Sequence, residues 1–217
     1  MPSLAEPIGV LLVDDQDAYR DAIAVIVDAD PNLRVVGSVA DGASGVAAAR
    51  DVRPDVILMD IRMPIMDGVE ATRRILAERP ETKIIVLTTF NLDDRAATAI
   101  RHGACGFLLK QCTPSQLTGA VHTVHDGNAV LAPGDLGTLL AGSFAAAESL
   151  PPSYAHLTDR ERDMVGLLAR GLSNAEIAGE LFVEESTVKS HVGAVLRKLE
   201  LRDRVQVVVF AHRHGLA

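Results

Sequence analysis

Short apolar runs alternate with longer amphipathic segments along the first 127 residues of the chain. Each run has the length of a strand buried on both faces, and the segments between the runs show the spacing of surface helices. We therefore predict five strands and five helices, the strands at 9–13, 34–39, 55–59, 83–88 and 106–109 and the helices near 17–28, 43–51, 67–78, 92–102 and 114–125. Strict alternation of strands and helices is typical of a parallel sheet with helices on both faces.

The pattern changes after Gly127 and again at Pro151 and Pro152. Two consecutive prolines cannot propagate a helix, so we expect the last domain to begin just beyond them. The predicted organisation is an α/β domain at 8–127, a partly helical linker at 128–153 and a helical domain at 154–217.

Four helices are predicted in the C-terminal domain. Thr158, with Glu161 three residues later, forms a capping box that starts the first helix, and Gly171 ends it. The second helix begins at Asn174, and a tight turn leads from it into a longer, more basic helix. This order predicts a helix-turn-helix, which places its second helix in the major groove of DNA. The expected fold class is therefore α/β, a flavodoxin-like doubly wound five-stranded parallel sheet, followed by a small all-α helix-turn-helix domain.

The net charge of −8 arises within the first 150 residues, because residues 151–217 hold nine basic and nine acidic side chains. Positive charge is nevertheless concentrated at 186–204, a segment that contains five Lys or Arg residues and two acidic ones. A local cluster of this kind suits a nucleic-acid partner even in a neutral domain.

The apolar runs are far shorter than the roughly 20 residues that span a bilayer, so no membrane partner is expected. A basic region followed by an apolar stretch does not occur near residue 1, so no secretion signal is expected. Cys105 and Cys112 are too few for a disulfide scaffold or a zinc cluster and are interpreted as packing residues or, alternatively, as redox sensors. We expect a cytoplasmic protein.

Polar residues end or follow four of the predicted strands: Asp14 and Asp15, Asp60, Thr88, and Lys110. In an open parallel sheet, ligands bind beyond the carboxyl ends of the strands. Three carboxylates gathered there would repel one another, and Mg²⁺ would relieve that repulsion with the hard oxygen ligands it prefers. Asp60 could then carry a phosphoryl group, whose charge the cation and Lys110 would stabilise.

At these strand ends the sequence resembles the receiver domain of two-component response regulators. The matching motifs lie at 13–15, 59–68, 88–89 and 107–110. The resemblance implies that Asp60 is the phosphoacceptor and that a sensor histidine kinase is the partner that supplies the phosphoryl group.

The same resemblance implies a ligand set for Mg²⁺. Asp15, Asp60 and the backbone carbonyl of Arg62 would bind the ion directly. Asp14 would act mainly through water or, alternatively, as an electrostatic or capping residue.

Three further residues receive roles from the receiver family. Lys110 and Thr88 would bind phosphoryl oxygens, and Phe107 takes the position of a switch aromatic unless it is only a core residue. Phe90, two residues after Thr88, is bulky and would restrict the access of water to the phosphoryl group. We therefore predict an aspartyl phosphate of moderate or long lifetime.

The C-terminal motifs at 157–161, 171–178, 187–192 and 197–199 resemble the LuxR-type DNA-binding domain. A receiver followed by this domain resembles the NarL/FixJ family of response regulators. Lys189 is expected to read base edges, with Ser190 beside it. Four residues are expected to hold phosphates, with helix capping or solvation as the alternative: Thr187, Ser173, Asn174 and Arg197.

In the NarL/FixJ family the last helix forms the dimer contact. That position corresponds here to Val205, Val208, Val209 and His212. A stripe that only faces the core of the domain is the alternative.

The preferred hypothesis is a phosphorylation-controlled transcription regulator that binds double-stranded DNA and forms a homodimer when phosphorylated or DNA-bound. It would not be an enzyme beyond its own phosphoryl transfer and dephosphorylation. A phosphohydrolase with Asp60 as nucleophile would need a general acid or base, and the sequence supplies none next to that residue. A regulator controlled by a ligand or by redox state is the third interpretation.

Overall fold

The computed structural model describes residues 6–89, 94–127, 130 and 147–217. The chain divides into two compact units, Met1–Val130 and Leu131–Ala217. Phe90 and most of the predicted linker at 128–153 lie outside the described residues, so the linker helix and the role of Phe90 stay predictions.

The first unit is a five-stranded, all-parallel sheet in the order β2-β1-β3-β4-β5. Its strands are β1 (Ile8–Val13), β2 (Leu33–Val39), β3 (Val56–Asp60), β4 (Lys83–Thr88) and β5 (Gly106–Leu109). Its helices are α1 (Asp17–Asp28), α2 (Gly42–Val52), α3 (Gly68–Glu78), α4 (Asp94–Arg101) and α5 (Pro114–His125). The sequence prediction of a doubly wound α/β domain is confirmed, with element bounds within about two residues.

Apolar residues fill both faces of the sheet because alternate side chains of a strand point to opposite sides. Leu12 and Leu58 belong to the core on one face, whereas Leu11 and Ile57 belong to the core on the other. All residues of β1 and β3 are buried, which explains their continuous apolar runs. The first polar side chains therefore occur where these strands end.

The central strands end at the same edge of the sheet. Val13 pairs with Met59, and Asp60 pairs with Leu87, the residue before Thr88. Thr88 in turn pairs with Leu109. This register brings the residues after β1 and β5 next to the last residues of β3 and β4.

Gly68 begins α3 at a place where a side chain does not fit. Its N–H donates to the carbonyl of Ile61 at 3.0 Å, and a Cβ there would lie 1.9 Å from the carbonyl oxygen of Asp60. The α3 N-terminus is thus held directly against the backbone of the last residue of β3.

Replacing Gly68 by alanine is expected to destabilise the protein by about 2 kcal/mol, because the Asp60 carbonyl would have to move. Gly119 in α5 is the matched control, since a Cβ there meets nothing within 4 Å. Gly119→Ala should instead stabilise the protein by about 1 kcal/mol through helix propensity. Urea unfolding followed by circular dichroism measures both changes, and equal stabilities for the two variants would contradict the close approach at Gly68.

The described residues of the second unit, 147–217, form a short 3₁₀ turn at Pro152–His156 and four helices, and these four helices are the ones that the sequence predicts. These are α6 (Asp159–Ala169), α7 (Asn174–Leu181), α8 (Glu185–Lys198) and α9 (Arg204–Arg213). The predicted capping box of Thr158 and Glu161 is present at the start of α6. The described residues include no helix with the length and apolar character needed to cross a membrane.

Buried apolar side chains from all four helices form the core of this unit. The core includes Met164, Ile177, Val188 and Phe210. Glu161 is buried beside this core, and its carboxylate forms an ion pair with the Lys198 ammonium at 2.6 Å. This ion pair joins α6 to the end of α8. The contacts of α8 with α6, α7 and α9 hold it in place within this unit.

Candidate functional site

Three carboxylates meet at the carboxyl edge of the sheet. Carboxylate oxygens of Asp14, Asp15 and Asp60 all lie within 4.8 Å of one another. Asp14 and Asp60 are buried, while Asp15 is exposed. Crowded carboxylates of this kind are the oxygen donors that Mg²⁺ binds, so the residues fit a divalent cation.

Lys110 provides the positive charge in this acidic pocket. Its ammonium lies 2.6 Å from Asp14 Oδ2 and 3.3 Å from Asp60 Oδ2. The backbone N–H of Lys110 donates to the carbonyl of Thr88 at 2.7 Å, which anchors the residue against the end of β4. Lys110 therefore neutralises part of the negative charge of both buried aspartates.

The Asp60 carboxyl is poorly solvated. Burial raises its pKa, and the Asp14 carboxylate raises it further, whereas Lys110 and a hydrogen bond from the Arg62 backbone lower it. The raised pKa means that ionised Asp60 destabilises the folded protein in the absence of a bound cation.

Asp60→Asn is expected to stabilise the cation-free protein by about 1 kcal/mol near neutral pH, the usual size of a point-mutation effect. The pKa of Asp60 is higher in the folded than in the unfolded protein, so the stability of the wild type falls as pH rises through the ordinary aspartate range. The side-chain amide of the Asp60→Asn variant does not ionise, so the variant avoids this loss. The stability advantage of Asp60→Asn should therefore vanish below that pH range, and Mg²⁺ should stabilise the wild type more than the variant, which lacks one carboxylate ligand. Thermal unfolding across pH, with EDTA or Mg²⁺, measures this. An Asp60→Asn variant that is less stable than the wild type in EDTA would contradict it.

The other predicted receiver residues lie on β4 and β5 or just after β3. Thr88 is the buried last residue of β4, and Arg62 is exposed two residues after β3. Phe107 is half-buried in β5, and its N–H donates to the carbonyl of Val130 at 3.0 Å. The chain beyond α5 thus returns to pair with the backbone of the proposed switch aromatic.

Two residues of α1 contact the pocket without having been singled out in the sequence. The Arg20 guanidinium donates to the carbonyl of Asp14 and, at 3.2 Å, to the Ser38 hydroxyl of β2. The Tyr19 ring lies beneath the Lys110 ammonium, which is 4.8 Å from the ring centroid. Neither residue belongs to a motif at a strand end, so only the fold reveals their contacts.

The two cysteines have the environment of packing residues. Cys105 is buried, and its thiol contacts the Ile84 carbonyl at 3.4 Å. Burial raises the pKa of the Cys112 thiol, which favours the protonated form over the reactive thiolate. This environment disfavours the redox interpretation.

One face of α8 is exposed and carries the predicted base-reading residues. Lys189, Ser190 and Arg197 are exposed, whereas Thr187 is half-buried. Lys189 lies 3.8 Å from Glu185, one turn earlier in the helix. Such a loose, exposed ion pair is weak and leaves the lysine available to another partner.

Ser173 and Asn174 already have partners within the chain. The Ser173 hydroxyl accepts from the Glu176 N–H at 3.2 Å as the N-cap of α7, in a complete capping box. The Asn174 side-chain carbonyl accepts from Arg204 at 3.0 Å. Helix capping is therefore a role that Ser173 has in this structure, with or without DNA.

The residues predicted for a dimer contact lie on α9. Val205, Val208 and Val209 are buried in this chain, and His212 is half-buried. Burial lowers the pKa of His212, which favours the neutral imidazole. The core cluster of this unit includes Val207, Phe210 and Ala211 from the same helix.

An α/β domain with this acidic pocket, joined to a helix-turn-helix unit, defines a two-component response regulator. Residues 10–122 match the family described as "Response regulator receiver domain", and residues 155–211 match "Bacterial regulatory proteins, luxR family". The chain belongs to the response regulators of the NarL/FixJ type and is a DNA-binding transcriptional regulator of a two-component system, as the sequence predicts.

Individual relatives cover nearly the whole chain. The transcriptional regulatory protein LiaR of Bacillus subtilis is 40% identical over 209 residues, 96% of this chain and 99% of that protein. The nitrate/nitrite response regulator protein NarL of Escherichia coli is 35% identical over 211 residues, 97% of this chain and 98% of that protein. The crystal structure of response regulator ChrA, from a heme-sensing two-component system, is 30% identical with a TM-score of 0.52 and covers 98% of this chain and 100% of that one.

Proposed function

We propose that Asp60 accepts a phosphoryl group from the phosphohistidine of a sensor kinase and thereby controls DNA binding by the second unit. One observation carries this proposal. The Lys110 ammonium lies 2.6 Å from Asp14 and 3.3 Å from Asp60, in a pocket that Asp15 completes with a third carboxylate. One edge of the sheet thus combines a candidate nucleophile, the Lys110 ammonium and carboxylate ligands for a divalent metal ion.

Asp14, Asp15, Asp60 and the backbone carbonyl of Arg62 would hold Mg²⁺ in this pocket. When bound, the ion offsets the negative charge of the carboxylates and of the transferring phosphoryl group. The raised pKa of Asp60, caused by burial, is consistent with a pocket that a cation would stabilise.

The transfer requires little covalent chemistry from the protein. A carboxylate oxygen of Asp60 attacks phosphorus, the bond between phosphorus and the kinase imidazole breaks, and its electron pair returns to the imidazole nitrogen. Lys110 and the Thr88 hydroxyl are proposed to donate to phosphoryl oxygens. The product is an aspartyl phosphate.

The phosphorylated pocket is proposed to act through Thr88 and Phe107. A dianion on Asp60 would draw Thr88 toward the pocket and leave space for the Phe107 ring to turn inward, which biases a two-state element. The backbone N–H of Phe107 also donates to the carbonyl of Val130, at the end of the first unit.

Recognition of double-stranded DNA is proposed for the exposed face of α8. Lys189 would donate to base edges in the major groove, with Ser190 beside it. Thr187, Arg197 and the α7 start at Ser173 and Asn174 would contact phosphates. A homodimer through Val205, Val208, Val209 and His212 would bind two half-sites about one helical turn apart. Because the three valines are buried in this chain, that contact requires phosphorylation to make them accessible first.

Mass spectrometry of the purified full-length protein tests the phosphoacceptor. We expect one phosphoryl group per wild-type chain after incubation with Mg²⁺ and acetyl phosphate, and none on Asp60→Asn. Asp51→Asn, an exposed change on α2, is the matched control and should be phosphorylated like the wild type. Phosphorylation of Asp60→Asn at the wild-type level would overturn the assignment.

A further inference from the structure

Tyr19 lies next to Lys110, whose ammonium contacts both buried aspartates of the pocket. It is the third residue of α1, half-buried, and the Lys110 ammonium is 4.8 Å from the centroid of its ring. A lysine over the face of a tyrosine at this distance makes a cation–π interaction, which is strongest where water is excluded. The Lys110 side chain is only 6% exposed, so the contact is desolvated.

The Tyr19 hydroxyl does not explain why a tyrosine occupies this position. It is buried and has no hydrogen-bond partner among the residues that the structure describes. Burial, together with the negative charges of Asp14 and Asp60, raises the pKa of Tyr19, which favours the neutral phenol. What the residue offers its surroundings is the face of the ring.

We propose that Tyr19 is a positioning residue that holds the Lys110 ammonium over the pocket while the carboxylates exchange their partners. Lys110 has two kinds of neighbour, the carboxylates of Asp14 and Asp60 and the ring of Tyr19. A divalent cation at the carboxylates, or a phosphoryl group on Asp60, changes the first kind of interaction. Neither change removes the contact between the ammonium and the Tyr19 ring. The ring therefore keeps the ammonium near the place where the phosphoryl oxygens bind.

This inference rests on the proposed phosphorylation of Asp60. The test compares Tyr19→Phe, which keeps the ring, with Tyr19→Leu, which keeps an apolar side chain without a ring. With acetyl phosphate and saturating Mg²⁺, we expect Tyr19→Phe to be phosphorylated at the wild-type rate. Tyr19→Leu should be slower by roughly tenfold, the range of a desolvated cation–π contact.

A double-mutant cycle separates positioning from packing. In the Lys110→Met background the lysine is absent, so Tyr19→Phe and Tyr19→Leu should be phosphorylated at the same slow rate. The same cycle is repeated by urea unfolding in EDTA. In EDTA the urea midpoint of Tyr19→Leu should be lower than that of Tyr19→Phe. This difference should largely disappear when Lys110 is replaced by methionine.

The outcomes distinguish this inference from the phosphoacceptor assignment. If the wild type takes up no phosphoryl group, the proposed function fails. If the wild type is phosphorylated and Tyr19→Leu matches Tyr19→Phe, the phosphoacceptor stands and the role of Tyr19 is overturned. A tenfold loss that persists in the Lys110→Met background would show that Tyr19 acts through packing, which also overturns it.

Discussion

Replacing Lys110 by alanine should slow phosphorylation of Asp60 by about a hundredfold, the usual cost of removing a group that stabilises transition-state charge. The same change should strengthen Mg²⁺ binding. In the wild type the ammonium lies 2.6 Å from Asp14 and 3.3 Å from Asp60, so it competes with a divalent cation for both carboxylates. Loss of Lys110 leaves these carboxylates without their internal counter-ion.

Opposite signs for these two effects make the prediction specific. A change that merely unfolded the pocket would weaken both metal binding and phosphorylation. Isothermal calorimetry with Mg²⁺ and single-turnover phosphorylation with acetyl phosphate measure the two effects. Lys83→Ala is the control, because Lys83 begins β4, at the opposite end of that strand from Thr88. A Lys110→Ala variant that binds Mg²⁺ more weakly than the wild type would contradict the competition.

Lys189→Ala should lower the affinity for a specific DNA site by about tenfold to a hundredfold, the range for one base-reading side chain. Lys189 is 65% exposed on α8 and only loosely paired with Glu185, so little has to be broken before it reaches a base. Affinity for random DNA should fall much less, because phosphate contacts dominate non-specific binding.

Arg197→Ala is the informative comparison. Arg197 is exposed near the end of the same helix and is proposed to hold a phosphate. Its removal should weaken binding to specific and random DNA alike and reduce the salt dependence. A site selected from a random pool by the phosphorylated wild type supplies the specific DNA, and fluorescence anisotropy measures affinity. Equal losses on both DNAs for Lys189→Ala would show that Lys189 is not a base reader.

The strands and helices could be predicted because their apolar patterns follow from burial. Strands β1 and β3 are buried on both faces and therefore read as continuous apolar runs that stop where the pocket begins. In a parallel sheet those stops lie at one edge, which is why Asp14, Asp60 and Lys110 could be grouped from the sequence alone.

Contacts that depend on how elements pack could not be predicted in this way. Tyr19 has the pattern of an ordinary residue of an amphipathic helix, and its contact with Lys110 follows only from the tertiary fold, which brings the start of α1 close to the residue after β5. The bond between Arg204 and Asn174 similarly joins the starts of α9 and α7. No local spacing rule connects residues so far apart along the chain.

The most direct test of the central claim is DNA binding by the full-length protein with and without Mg²⁺ and acetyl phosphate, for the wild type and Asp60→Asn. Fluorescence anisotropy on the selected site gives the affinity, and light scattering gives the mass of the protein. The account predicts that the phosphodonor produces tighter binding and a dimer in the wild type and changes neither property in Asp60→Asn. Equal DNA affinities for the two proteins, unaffected by the phosphodonor, would contradict control of this regulator through Asp60.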